Sequence, residues 1–85
     1  MDSIEIGKIV NELLETEEVT FTYNNHFIHI QESTESGYDG SVFNNEKEYD
    51  NDEDPIDGGV CDSDVVINVI EFFTDISRDL KWKEN

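Results

Sequence analysis

At 85 residues the chain makes one small domain, expected to bury about 60% of its unfolded surface and to be stable by about 4 to 13 kcal/mol, with no room for a deep catalytic cleft. Twenty-two acids against five bases leave a formal charge of −17. A field of that sign excludes direct binding to nucleic acid or to an anionic membrane and steers basic protein surfaces inward, although the same charge also serves simply to keep a small protein soluble.

The first predicted element is a helix over about residues 3–15. Asp2 and Glu5 form a D-x-x-E capping box, and Ile6, Ile9, Val10, Leu13 and Leu14 come after it at the spacing that puts five apolar residues on one stripe. Glu5, Lys8, Glu12 and Glu15 then face water, and Gly7 weakens the helix, which suggests close approach of a neighbouring element.

Residues 18–31, EVTFTYNNHFIHIQ, read as a β-hairpin: two alternating runs flank Asn24-Asn25, and asparagine tolerates the positive φ values of a tight primed turn. In that register Tyr23 faces His26, Phe21 faces Ile28 and Val19 faces Ile30 on the core side, which leaves Thr20, Thr22, Phe27 and His29 on the other. His26 and His29 fall on opposite faces, against shared metal ligation. Beyond them Gly37 and Asp39-Gly40 read as turns, and Ser41-Val42-Phe43 as a short third strand, with Phe43 in the core.

An acidic loop is expected over about residues 44–62. Glu46, Glu48, Asp50, Asp52 and Asp54 fall on alternate positions, so an extended backbone would line their carboxylates along one side, about 6.6 Å apart. One strand of duplex DNA presents a phosphate at each axial step of about 3.4 Å, with a longer separation through space, so such a row can stand in for phosphates. The bland alternative is a mobile, solvated loop. Tyr38, Phe43 and Tyr49 lie beside the charges, and Tyr49 is a candidate anchor for a partner.

Pro55, Gly58 and Gly59 break regular structure, Asp62 or Ser63 can cap a further helix, and that second helix is predicted over about residues 63–80. Its apolar positions are Val65, Val66, Val69, Ile70, Phe73, Ile76 and Leu80. Arg78, Lys81 and Lys83 complement its dipole, and Trp82 either closes over the core or frays.

Metal and catalytic chemistry both lack their full residue sets. Asp50-x-Asp52-x-Asp54 begins like a calcium loop, but Pro55 stands where that loop needs glycine and Cys61 where it needs a bidentate carboxylate. A lone cysteine without a base partner, two histidines on opposite strand faces and no Gly-rich phosphate loop argue for a protein that is not an enzyme and needs no cofactor or metal. Cys61 is read as a small apolar filler in a reducing compartment. The acidic N-terminal residues do not look like a signal peptide and no run is apolar enough to cross a membrane, so a cytoplasmic location is expected.

A capped helix, a short antiparallel meander, a strongly acidic segment and a final helix resemble the small acidic inhibitors that bacteriophages encode against host defence, nearest the type II-A anti-CRISPR proteins. The resemblance lies in architecture and charge, without a shared motif. It implies carboxylates presented to the arginines with which a guide-RNA-directed nuclease reads DNA beside its target.

The reading is therefore an α+β domain spanning residues 1–85, with an antiparallel meander of two to three strands packed against an N-terminal and a C-terminal helix. It acts as a stoichiometric inhibitor of a basic nucleic-acid-binding protein in a bacterial host. Glu46, Glu48, Asp50, Asp52, Glu53, Asp54 and Asp57 contact that partner, Asp39, Asp62 and Asp64 extend the surface, and Tyr49 anchors it. An acidic antitoxin or an adaptor that binds through its apolar surfaces is the alternative.

Overall fold

The computed structural model describes residues 3–33 and 36–83. It is an α+β fold in the order α1 (Ser3–Thr16), β1 (Glu18–Tyr23), β2 (His26–Glu32), β3 (Tyr38–Phe43), α2 (Glu46–Asp50), β4 (Asp57–Cys61) and α3 (Val66–Lys83). The four strands form one antiparallel sheet in the order β1-β2-β3-β4, one strand more than the upper count expected.

The hairpin has the predicted register, with Tyr23 opposite His26, Phe21 opposite Ile28 and Val19 opposite Ile30. Asn24 and Asn25 make the turn at φ values of 55° and 65°, the left-handed pair that a two-residue primed turn requires. The β3 strand begins earlier than predicted. Asp39-Gly40 is not a turn but strand, because Gly40 lies beneath Phe73: a Cβ there would stand 2.4 Å from the Phe73 ring. Gly37 does turn the chain, at φ 71°.

Both long helices pack on one face of the sheet, α1 against β1 and α3 against β3 and β4. Their core joins Ile9 and Leu13 of α1, Val66, Val69, Ile70 and Phe73 of α3, and Val19, Ile28, Ile30, Val42 and Cys61 of the strands. Burying each such side chain is worth about 1.5 to 3 kcal/mol, and that is what holds the marginal helices. Three predicted stripe positions lie outside this layer: Leu14 is 60% and Val65 51% exposed, each being the outermost residue of its stripe, and Ile6 is half-buried away from the core cluster. Among the described residues Gly7 has no neighbour within 4 Å of a would-be Cβ, so the close approach expected there does not occur. Asp2 and the side chains of Lys81, Trp82 and Lys83 fall outside the described residues.

Cys61 is buried in the core, and that burial, helped by Asp62, pushes its thiol above the usual range. Burial likewise raises the Tyr38 phenol, with Glu32, Glu17 and Asp64 adding to it. The buried polar groups are tied in a chain: the Ser77 hydroxyl donates to the Tyr23 carbonyl at 3.1 Å and stands 2.7 Å from His26 Nδ1. Since Ser77 has one proton and gives it to Tyr23, His26 Nδ1 must be the donor in its own bond. Asn24 Nδ2 adds a bond to the Ser77 carbonyl, so the hairpin tip is pinned to α3. Ser77→Ala is expected to lower stability by about 1 to 2 kcal/mol, read as a lower urea midpoint at unchanged slope, because His26 Nδ1 loses its acceptor in a dry site.

Candidate functional site

The acidic segment does not run extended. Residues Glu46–Asp50 wind into α2, and both of its ends are closed by their own sequence. At the start, Asn45 Oδ1 accepts from the Glu48 amide at 3.0 Å, while the Glu48 carboxylate reaches back to the Asn44 amide and side chain at 3.1 and 3.2 Å. This is a capping box shifted by one residue. At the end, Asp52 enters the left-handed region at φ 57°, the Asp52 amide bonds the Tyr49 carbonyl and the Glu53 amide bonds the Glu48 carbonyl, as in a Schellman motif. Asp52→Gly is therefore expected to stabilise the protein by about 0.5 to 1 kcal/mol, checked by thermal melting.

A five-residue helix does not persist alone, and Tyr49 is what seats this one. Its ring packs on Phe27, His29 and Phe43 with centroids 5.2, 5.1 and 5.5 Å away. Tyr49 is thus not a free anchor for a partner: its ring is engaged on the face of the sheet opposite α1 and α3. Phe27 and Phe43, both buried, form a second small apolar layer there, and Phe43 lies in it rather than in the main core. His29 Nε2 pairs with Glu18 at 2.6 Å, which borders the same patch.

These contacts divide the predicted partner-binding residues into groups. Glu46, Asp50, Asp52, Glu53 and Asp54 are exposed on α2 and the turn after it, and among the described residues no cationic side chain pairs with them. Glu46 and Asp50, four apart on a helix, share a side with Cβ atoms about 5 to 6 Å apart. Glu48 is half-buried and spent on the cap. Asp57 is half-buried too, and its Oδ1 accepts from the Gly58 amide at 2.7 Å. Asp39 is half-buried on β3, paired in register with Gln31 and Val60. Asp62 and Asp64 are exposed beyond the far end of β4, so they do not continue the α2 cluster. The even row of carboxylates does not form, because a helix and a strand occupy the stretch that an extended loop would have needed. What forms instead is an acidic ridge at one end of β4 and a smaller acidic pair at the other.

Among the described residues no three His, Cys, Asp or Glu side chains come together as metal ligands. The serine-histidine contact of Ser77 with His26 is shut away, the two residues being 0% and 6% exposed, and the serine proton is already given to a backbone carbonyl. It joins elements and offers no nucleophile to a substrate. No helix among the described residues is long and apolar enough to cross a membrane.

Comparison of the chain with protein-family models, with curated proteins and with solved structures finds no match. The fold and the site define a class in physical terms alone: a small α+β protein that carries an acidic ridge on a short helix, and the turn after it, seated on β2 and β3 on the sheet face away from the two long helices.

Proposed function

We propose that the protein is a non-catalytic inhibitor that binds a basic nucleic-acid-binding protein stoichiometrically, its ridge carboxylates taking the place of nucleic-acid phosphates. The observation that carries this reading is the combination at Glu46, Asp50, Asp52, Glu53 and Asp54: exposure, no cationic partner among the described residues, and a backbone held by two caps and the Tyr49 contacts. Acids kept only for solubility need no such seat. Carboxylates already in place lose less freedom on binding, and they form bidentate pairs with arginine of the kind phosphates make. The target is a protein whose Arg or Lys side chains otherwise hold DNA or RNA, a guide-RNA-directed nuclease among them, and the inhibitor acts in the bacterial cytoplasm.

The test has two stages. Protein immobilised in bacterial lysate at low salt is eluted with a salt gradient, and a retained nucleic-acid-binding protein is then assayed for DNA or RNA binding with and without the inhibitor. Next, Glu46→Gln, Asp50→Asn and Asp54→Asn are combined. The triple variant is expected to bind about tenfold or more weakly, while its melting temperature stays level or rises as repulsion is relieved. Unaltered affinity would remove these residues from the interface.

A further inference from the structure

Among the described residues the outer edge of β4 has no neighbouring strand, since β4 is last in the sheet order. Natural edges are usually blunted by lysine, proline or an inward charge, and the centre of this one, Gly58-Gly59-Val60, carries none of these. Gly58 has an internal reason for being glycine, because a Cβ there would stand 2.6 Å from the Gly40 carbonyl oxygen. Gly59 has none: its φ lies outside the left-handed region and a Cβ would meet nothing within 4 Å.

Strand alternation places Gly59 on the same face as buried Cys61, the face that α3 covers. The open space above Gly59 is therefore a gap in the helical layer. Helical spacing supplies its wall. Ile67, Glu71, Thr74 and Arg78 turn toward Ile6 of α1 and Tyr23 of β1, which leaves Val65 and Phe72 on the opposite flank, the side of the β4 edge. Both are unusually open for their type, at 51% and 39% exposure, and Val60, 59% exposed, lies on the other face of the same strand. Exposed apolar side chains thus flank the outer backbone groups of β4, which lack a ladder partner, the Gly58 amide alone being met by Asp57 Oδ1.

We propose that the edge of β4 takes an extended, basic segment of the partner protein as a fifth strand, its side chains alternating between the Gly59 and Phe72 side and the Val60 face. Charge selects this occupant over a second copy of the chain. Pairing two β4 strands antiparallel would bring Asp57 of one beside the Cys61–Asp62 end of the other, between molecules of charge −17. Lysines or arginines flanking a short apolar strand instead meet Asp57 at one end and Asp62 and Asp64 at the other. Backbone pairing supplies affinity, and the charges supply direction and choice of partner. The inference rests on the reading that the partner is basic, and it adds a main-chain contact distinct from the ridge.

The probe is a short synthetic peptide of valine and threonine with lysines at each end, titrated into the isotope-labelled protein and followed by NMR. Shifts are expected at residues 57–61, Val65 and Phe72, with slowed amide exchange along β4. A peptide of the same charge that is N-methylated at alternate residues is expected to bind about tenfold or more weakly, since only its backbone donors are lost. Equal binding of the two peptides, or shifts at the β1 edge, would overturn the proposal. Shifts confined to residues 46–54 would overturn it while leaving the ridge in place. A protein that sediments as a dimer with β4 protected before peptide is added would show that a second copy fills the edge and overturn it as well. The triple ridge variant is expected to keep the N-methylation penalty even where it no longer captures a partner from lysate, which separates the failure of one reading from that of the other.

Discussion

Gly40→Ala is expected to cost about 3 kcal/mol, the upper end of the range for overpacking a filled core and a large share of the about 4 to 13 kcal/mol available to a chain of this size. The added Cβ would stand 2.4, 2.5 and 2.7 Å from three carbons of the Phe73 ring. Neither side can yield cheaply. Gly40 is held in register with both Ile30 and Gly59 by the strands beside it, and Phe73 is 0% exposed, surrounded by the core it anchors. Urea unfolding followed by far-ultraviolet circular dichroism gives the loss. A second measurement identifies its cause: Phe73→Leu removes Cε1 and Cζ, the two ring carbons that come closest, so the double variant should be more stable than the two single losses added together. Strict additivity, or a Gly40→Ala protein with an unchanged midpoint, would mean that α3 does not sit over β3.

That contact also shows why part of the fold was legible in the sequence and part was not. The apolar stripes of α1 and α3 repeat over several turns, and the two hairpin strands check one another through a single register, so each signal was reinforced by its own length. Gly40 carried no such signal. A glycine next to an aspartate reads locally as a turn, and only the position of Phe73, more than thirty residues away, makes it a strand residue. The same holds for β4, where Pro55, Gly58 and Gly59 look like breaks until β3 is beside them. Two strands that are each short and glycine-containing gain their stability from pairing, which no single window displays. The α2 helix was more accessible. Asn45-x-x-Glu48 is a recognisable helix-start pattern, but alternating acids pointed to an extended chain, and five residues are too few for an apolar period to contradict it. The acids at the candidate site were therefore identified by composition, whereas their arrangement depended on where Tyr49 found an aromatic patch.

Tyr49→Ala separates that arrangement from charge alone, because it leaves every acid in place. Removing a half-buried ring that touches Phe27, His29 and Phe43 is expected to lower stability by about 2 to 3 kcal/mol, less than the full cost of a deeply buried aromatic. The local effect is larger than the global one. Without the ring, α2 retains only its caps, and a helix of five residues cannot hold against the coil, so the amides of Glu48, Asn51, Asp52 and Glu53 should lose their protection from hydrogen exchange. Tyr49→Phe, which keeps the ring, should retain both stability and protection. In partner binding the two parts of the interaction respond differently. Long-range attraction depends on net charge, which neither substitution alters, so the association rate should stay close to that of the unaltered protein. The dissociation rate of Tyr49→Ala should rise about tenfold, because carboxylates on a mobile loop must be ordered again at each encounter. If Tyr49→Ala dissociated as slowly as Tyr49→Phe, the seating of α2 would have no part in recognition, and the acids would act as a diffuse cloud rather than as placed substitutes for phosphate.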